Sequence, residues 1–452
     1  MTTTAYTLTC LTPVHIGTGV QYSKFDGAYH DRHWHVIDLD RVLAQGADAN
    51  ALARAMHSPT FSWSDWLGQQ RITPTAGALY TLPCPQDPAD TPVREAMKTV
   101  YQQPYVPGTS VKGAIRTAIL RSLLTYDDRA LQEAKDYITL RLRSFDLMQA
   151  LERMEGGNSR YSNPQAHERA LAQVFGDERV KALRSVLYRA LNRPVERLQR
   201  SDFERFAEWH WQRKRVEVNP HTLDDPIEQF VLGRTPNHDL LRALQVSDTA
   251  PVELERLAVG LVWTYTLRGH QLVEKREQEG EYKAFVEWLT PGTTLRLTLR
   301  LDDFLYTDAA KQALQFRDRQ VQAIRQLAHT CNAYARTVIA AEQEFYATYG
   351  PESLHELYTE CAAMLDALPD GAFLLNIGWG GGWEVKTVGA LLRKILGAQG
   401  FLQLRQRYGL GRSPRTGQLT PNAPFPKTRR LAYEAGAAHW ALGWVTLVPQ
   451  ES

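Results

Sequence analysis

Apolar and polar positions alternate in some parts of the chain and recur every three or four residues in others. Alternation predicts strands at 4–11, 259–267, 285–301 and 440–448, and an apolar run predicts a buried strand at 372–377. Helical spacing predicts helices at 111–124, 308–368 and 388–396, and a mostly helical stretch up to about residue 215. The proline-rich stretch 58–92 reads as irregular, with a strand near 78–82.

The order of these elements is β-rich, helical, β-rich, helical and β. It indicates an α+β fold of two modules with helical insertions, for which 452 residues and 43% hydrophobic content suffice. We place one module at 1–250, with an insertion at about 120–215. The other spans 251–452, with an insertion at about 303–368 and a glycine-rich loop at 378–387. Neither a low-complexity linker nor a tandem repeat is visible.

Charge is distributed unevenly along the chain. The net charge is only +2, yet residues 386–430 contain ten Lys or Arg and no Asp or Glu, and the residues before them carry a net charge of −6. A second basic region, 179–215, has eleven Lys or Arg against four acidic residues. We expect such segments to face a polyanion, and the alternative is a solvated surface with acidic partners inside the chain.

Several classes of protein are disfavoured by the sequence. No apolar run reaches the roughly 20 residues of a membrane span, and the first residues do not resemble a signal peptide. The four cysteines (Cys10, Cys84, Cys331 and Cys361) are far apart, without a CxxC pair. We therefore expect no structural metal, no cofactor and a reducing, cytoplasmic setting.

The stretch "VPGTSVKGAIRTAIL" predicts a helix with a basic leading edge. Thr109 or Ser110 can cap it, while Lys112 and Arg116 are four apart and share one face. Free N–H groups and the positive end of the helix dipole suit a phosphate. The alternative is a capped helix with two solvated bases.

The stretch "NIGWGGGWEVKTVG" places four glycines within five residues, between a strand and a helix. Such a loop can present backbone N–H groups to a phosphate, with Lys386 and Thr387 at the expected helix start. A nucleotide P-loop requires glycine directly before the Lys-Thr pair, where this chain has Val385. A nucleic-acid backbone is the better ligand, and a loop with exposed tryptophans is the alternative.

Three further positions could carry chemistry. "FPKTRRL" places Lys427, Arg429, Arg430 and an aromatic near one another, as in proteins that bind unpaired nucleotides. His15, in "LTPVHIGTG", could act as a general base for RNA cleavage or be structural. Asp26 could orient a hydroxyl or ligate a metal, or it could form a turn.

Taken together, "LTPVHIGTG", "PGTSVKGAIR", "LQVSD", "GWGGGWEVKT" and "FPKTRRL" resemble the RAMP superfamily of CRISPR-associated proteins. Within it they are similar to the subunit-five family of type III-A (Csm) effector complexes. The motifs extend over nearly the whole chain, from residue 11 to residue 431.

The resemblance implies ferredoxin-like, RRM-related modules in a protein of antiviral defence. It implies a non-catalytic subunit that caps a helical ribonucleoprotein and contacts the 3′ part of the guide RNA (crRNA). The implied protein partners are the adjacent repeating backbone subunit and the small helical subunit of the complex, without a membrane or a small-molecule substrate. Support of guide 3′-end maturation without its own nuclease site is also implied. We do not transfer the target cleavage of the backbone subunit to Asp26.

The residues that the resemblance assigns to RNA contact lie in four motifs. They are His15, Gly17 and Gly19; Ser110, Lys112 and Arg116; Gly380, Gly381, Gly382, Lys386 and Thr387; and Lys427, Thr428 and Arg429. Two alternatives stay open. One is a guide-processing endoribonuclease that uses His15 as general base, and the other is a nucleotide-binding enzyme that uses the glycine-rich loop.

Overall fold

The computed structural model describes most of the chain outside the first helical insertion. The described residues are 2–139, 142, 169, 172–173, 224–233, 235–277, 280–412, 417–419, 424–434 and 436–450. The basic region 179–215 and most of the predicted insertion at about 120–215 lie outside them.

The described strands are numbered in chain order. They are β1 (Thr2–Cys10), β2 (Gly17–Tyr22), β3 (Gly27–His30), β4 (His33–Ile37), β5 (Ala78–Pro83), β6 (Val93–Ala96), β7 (Leu244–Val246), β8 (Leu257–Arg268), β9 (Gln271–Glu274), β10 (Arg276–Glu277), β11 (Gly280–Glu281), β12 (Lys283–Leu289), β13 (Thr294–Leu301), β14 (Phe373–Asn376), β15 (Thr428–Glu434), β16 (Ala437–Ala441) and β17 (Trp444–Pro449).

The described helices are numbered in the same way. They are α1 (Leu39–Ala44), α2 (Ala49–Met56), α3 (Trp63–Gln69), α4 (Pro74–Gly77), α5 (Gly108–Tyr126), α6 (Asp224–Leu232), α7 (Asp308–Leu314), α8 (Asp318–Arg325), α9 (Leu327–Tyr349), α10 (Glu352–Asp366), α11 (Gly382–Lys386) and α12 (Gly389–Tyr408). A further helical stretch covers 128–139. Among the described residues, no helix is both long and apolar enough to span a membrane.

The five-stranded sheet has a ferredoxin-like strand order with one strand added. Its order is β14-β17-β1-β13-β7, and all neighbours are antiparallel. Without β17 this is the arrangement of a β-α-β-β-α-β unit whose two helices are α5 and α9, which pack against each other and against β14. Leu8 and Cys10 of β1 are fully buried in the main core. The predicted α+β class is thereby confirmed.

The seven-stranded sheet has one face in the main core and one outer face. Its order is β16-β15-β8-β12-β6-β2, with β9 also pairing β8, and only the β12–β6 pair is parallel. Because side chains alternate along a strand, Leu261 and Phe285 point into the main core while Val262 and Val286 point outward. The outer face carries a small apolar cluster of its own, which includes the half-buried Trp379.

A smaller layer completes the fold near the N-terminus. The sheet β3-β4-β5 and helices α1 to α4 enclose a separate core that contains Trp63, Trp66 and Leu67. The irregular structure predicted for 58–92 is therefore wrong where α3 forms. Ser62 caps this helix by accepting from the Asp65 N–H, and its three apolar residues are buried.

Two predicted elements differ from the observed ones. The strand predicted at 440–448 is two strands, because Gly443 has a φ of +91° and turns the chain from β16 in one sheet to β17 in the other. The helix predicted at 388–396 continues to Tyr408 as α12, with a non-helical Gly397 inside it.

The division of the chain near residue 250 stays a prediction. Both large sheets combine strands from either side of this position, since β1 pairs β13 and β17 while β6 pairs β12. The helices predicted at about 303–368 correspond to α7 through α10.

Candidate nucleic-acid interface

Helix α5 begins at Gly108 and receives its cap from a distant segment. Neither Thr109 nor Ser110 caps it, so that part of the prediction is wrong. The Asp248 carboxylate instead accepts from the Gly108 N–H at 2.8 Å. A Cβ at Gly108 would collide with the carbonyl of Val246, which explains the glycine. The "LQVSD" motif thus fixes the start of this helix.

The two bases of helix α5 have partners inside the chain. The Lys112 ammonium donates to the Leu244 carbonyl at 2.7 Å, and burial lowers the pKa of this lysine. The Arg116 guanidinium contacts Glu228 at 2.7 Å and Asp239 at 2.6 Å. An RNA contact through either base stays a prediction, and it would require exchange of these internal partners.

The glycine-rich loop is shaped by close backbone contacts with the first turn of the chain. The Trp379 N–H donates to the His15 carbonyl at 2.8 Å. Gly378 has a φ of +71°, and a Cβ there would collide with the same carbonyl. Gly380, with a φ of +103°, leaves no room for a Cβ beside Leu442. The second half of the loop is the short helix α11, whose Gly382 also has a positive φ.

Lys386 lies at the end of α11 and not at a helix start, which corrects the sequence prediction. Its ammonium turns back to donate to the Asn376 carbonyl at 3.0 Å. Desolvation of this ammonium lowers the pKa of Lys386 to about 8. The Thr387 hydroxyl donates to the Trp383 carbonyl at 2.8 Å and accepts from the Gly389 N–H. Lys386 therefore remains mostly cationic at neutral pH, while Thr387 holds the loop together.

Helix α5 and the glycine-rich loop meet at one cleft of about 260 Å³, which we call the polar cleft. Helix α5 contributes Thr109, Ser110, Gly113, Ala114 and Thr117, and the other side consists of Tyr334, Asn376, Gly378, Val385 and Lys386. The structure thus brings two predicted site residues, Ser110 and Lys386, to the same cleft. Gly381 lies next to this site, because a Cβ there would approach the Asn376 amide oxygen and Lys386.

His15 fastens the first turn to the rest of the molecule. Its side chain is 3% exposed, and its Nδ1 is 2.6 Å from the Glu287 carbonyl. Burial, together with the charges of Arg94 and Lys98, lowers the pKa of His15 to about 4. A Cβ at Gly17 would lie 2.9 Å from Nε2 of this ring, whereas Gly19 has open space around it.

Two arginines contact the ring of Trp379: Arg430 belongs to the motif "FPKTRRL" but is not among the predicted RNA contacts, and Arg94 lies outside every predicted motif. The Cζ atoms of Arg94, on β6, and of Arg430, on β15, each lie 4.9 Å from the ring centroid. No ion pair within the described part of the chain involves either guanidinium. We call these three residues the arginine–tryptophan cluster. Arg94 carried no sequence signal, because a single basic residue in a strand forms no motif.

Some residues of the last predicted motif, "FPKTRRL", lie inside the fold and others lie at its surface. Arg429 donates to the Glu342 carboxylate at 2.8 Å and lies over Phe345, so it is an internal cation. The backbone carbonyl of Lys427 accepts from Leu267, and Thr428 is exposed where β15 begins. Since side chains alternate, Arg430 points to the opposite face from Arg429.

Asp26 forms a turn. Its carboxylate accepts from the N–H and the hydroxyl of Ser23, both at 2.7 Å. Among the residues that the structure describes, no cluster of three or more His, Cys, Asp or Glu side chains is arranged to hold a metal ion.

The fold and the site together define a class of protein. It has a ferredoxin-like sheet, and its glycine-started helix and late glycine-rich loop meet at one cleft. The RAMP superfamily matches residues 7–386, and the chain belongs to this superfamily. The resemblance predicted from the motifs and the predicted fold of ferredoxin-like modules are both confirmed.

Within this superfamily, the chain is similar to a Csm5 protein. The chain is 21% identical over 466 residues to "CRISPR system Cms protein Csm5" of Methanocaldococcus jannaschii, covering 97% of this chain and 87% of that protein. The predicted likeness to subunit five is therefore confirmed.

Solved structures share the fold. A chain of a type III-A Csm–crRNA–target RNA ternary complex matches with a TM-score of 0.58 and 23% identity, covering 98% of this chain and 100% of that one. Csm5 of T. onnurineus matches with a TM-score of 0.54 and 20% identity, covering 97% and 99%.

Proposed function

We propose that the chain is a non-catalytic guide-RNA-binding subunit of a type III-A CRISPR effector complex. It caps the end that holds the 3′ part of the guide and supports guide 3′-end maturation in the cytoplasm. Its neighbours are the repeating backbone subunit and the small helical subunit. The Csm5 relative and the fold shared with a chain of a Csm–crRNA complex support this role.

The observation that carries the proposal is the convergence of two distant motifs at the polar cleft. Ser110 and Lys386 line the same cleft, and Gly378 lines it from the glycine-rich loop. The next residue of that loop is Trp379, whose ring lies against two arginines without carboxylate partners in the described structure. Cations for phosphates and an aromatic beside them are the elements that hold a single strand without reading its sequence.

The environment of His15 favours binding over RNA cleavage by this residue. A general base must come within about 2.6–3.2 Å of the proton that it removes. The His15 ring is buried, its Nδ1 contacts a backbone carbonyl, and its Nε2 faces Gly17. A ribose hydroxyl would need displacement of the first turn to reach it, so we assign His15 a structural role.

Gly113 offers a test that leaves the fold intact. It is exposed in the second turn of helix α5 and lines the polar cleft, and a Cβ added to it would meet no atom within 4 Å. Gly113→Glu places a negative charge at the cleft. We expect this variant to bind guide RNA at least about tenfold more weakly, because the carboxylate repels the phosphate and one charge-assisted contact is lost. Binding is measured by titrating the full chain with labelled single-stranded RNA.

The matched control is Gly113→Ala, which adds no charge. Alanine in place of glycine inside a helix stabilises it by up to about 1 kcal/mol, so this variant should fold and bind RNA normally. In the assembled complex, Gly113→Glu should also lower guide retention and alter the length of the guide 3′ end. A folded Gly113→Glu chain with unchanged affinity and guide length would exclude the polar cleft from RNA binding.

A further inference from the structure

A second cleft lies where β8, β12 and β15 of the seven-stranded sheet come close to the end of β5, and residues from both faces of the sheet line it. It has a volume of about 300 Å³, and its walls include Trp288, Trp440 and the prolines Pro13, Pro83, Pro85 and Pro291. We call it the tryptophan cleft. None of the predicted site residues lines it, and it is separate from the polar cleft.

The sheet itself holds the two aromatic walls in place. A Cβ at Gly260 would collide with the Trp288 ring, so the glycine lets this ring lie close against β8. The Trp440 indole N–H donates to the Glu434 carboxylate at 3.2 Å, which fixes its orientation. Both tryptophans are half-buried, and each keeps part of its surface open to solvent.

The tryptophan cleft adjoins the arginine–tryptophan cluster. Arg430 precedes the cleft residue Ala432 by two positions on β15, and Arg94 pairs with Val286, two positions before Trp288 on β12. Two residues of a strand span roughly 7 Å and share one face. Trp288, Trp379 and Trp440 also pack against the same outer apolar cluster. The cleft and the two guanidinium groups, which have no acidic partner within the described ranges, thus form one continuous surface.

We propose that the tryptophan cleft binds one unpaired nucleobase of the RNA whose phosphates are held by Arg94 and Arg430. This inference rests on the proposed function and adds a site to it. An unpaired nucleotide has an anionic backbone and an uncharged flat base, and this surface offers cations beside an aromatic cleft in the same arrangement. The Glu434 carboxylate at the rim repels a phosphate but tolerates a base, so it favours this orientation.

An abasic scan of the RNA tests the site directly. The full chain is titrated with a series of single-stranded RNAs, each of which lacks one base. Stacking on an aromatic side chain contributes about 1–3 kcal/mol per base, which corresponds to roughly 5- to 150-fold in affinity. We expect one position at which removal of the base weakens binding by such a factor, while removal elsewhere has little effect.

The variant Trp440→Leu should bind intact RNA more weakly by a similar factor. For this variant, removal of the base at the sensitive position of the abasic scan should no longer change the affinity. Phe304→Leu, which alters an exposed aromatic that lines neither cleft, is the matched control and should behave as wild type. In case Trp440→Leu does not fold, the wild-type chain is irradiated with iodouridine-substituted RNA, and the site predicts crosslinks to Trp288 or Trp440.

The outcomes separate this inference from the proposed function. Normal RNA affinity with a flat abasic scan, or crosslinks that avoid both tryptophans, overturns the base site and leaves guide binding intact. Crosslinks from these tryptophans to a neighbouring protein subunit in the assembled complex also overturn it. A wild-type chain that binds no RNA overturns both proposals.

Discussion

At the residue scale, the basic side chains divide into those with an acidic partner inside the fold and those without one. Arg116 and Arg429 neutralise carboxylates, while Arg94 and Arg430 lie against the Trp379 ring and form no ion pair with a described residue. The motifs predict Arg116, which shares a helix face with Lys112, and they place Arg429 and Arg430 side by side without distinguishing their roles. The division itself could not be predicted, because Glu342 and Arg429 are 87 positions apart and meet only in the folded chain.

The buried carboxylate of Glu287 provides a stability prediction. Glu287 is fully buried and accepts from the Lys98 ammonium at 2.5 Å, the Tyr80 hydroxyl at 2.7 Å and the Ala96 N–H at 2.8 Å. Lys98→Ala leaves this charge without its cation, so we expect a loss of about 3–5 kcal/mol in the free energy of unfolding. Urea denaturation of the full chain measures it.

Arg336→Ala is the control for this prediction. Its ion pair with Asp366 is more than half exposed at both side chains, so its removal should change the unfolding free energy by at most about 1 kcal/mol. Equal effects of the two substitutions would show that the Lys98–Glu287 pair is not buried as described.

His15 gives a prediction for pH dependence. Its pKa is about 4 in the folded chain against an ordinary value of 6.5, so the unfolded chain binds the proton more readily. Stability should therefore fall as the pH drops from about 6.5 to about 4, by about 3 kcal/mol from this residue. His15→Asn keeps a donor for the Glu287 carbonyl and lacks this titration, so the two unfolding profiles should diverge in that range. Parallel profiles would contradict the buried, neutral histidine.

At the element scale, periodicity predicts the strands β1, β8, β12, β13 and β14 and the helices α5 and α9, and it fails where a turn depends on distant backbone. The alternation at 440–448 continues through Gly443, yet the chain turns there. The turn requires glycine, because φ is +91° and a Cβ would collide with the Ile377 carbonyl. The start of α5 was predicted correctly within a few residues, but its cap comes from Asp248, 140 positions away. Local pattern cannot identify a partner that only the sheet brings close.

The cap of α5 can be tested by substitution. Asp248→Ala removes the acceptor for the Gly108 N–H, and loss of an N-terminal cap costs about 0.5–2 kcal/mol. Thr109→Ala is the control, because Thr109 makes no capping bond and is exposed. Thermal unfolding should place Asp248→Ala below the wild type and Thr109→Ala close to it. A lower unfolding temperature for Thr109→Ala than for Asp248→Ala would contradict the cap by Asp248 and support the local cap that the sequence predicts.

At the scale of the whole molecule, each large sheet joins strands from both ends of the chain. Strand β1 lies between β13 and β17, and this pairing brings the first turn, helix α5 and the glycine-rich loop to one region. Family resemblance predicted which motifs belong together, since composition and periodicity carry no information on distant pairing. The resemblance did not indicate the arginine–tryptophan cluster or the tryptophan cleft, which arise from the register of β6, β12 and β15.

The salt dependence of RNA binding tests most directly the central claim that this chain holds a single strand by its phosphates, with Arg94 and Arg430 among the cations that neutralise them. Each neutralised phosphate contributes about −0.7 to the slope of log affinity against log salt for single strands. The double variant Arg94→Gln, Arg430→Gln should bind more weakly and with a slope shallower by about 1.4, whereas Arg336→Gln should match the wild type. A double variant with wild-type affinity and slope would show that the bound RNA does not reach this surface.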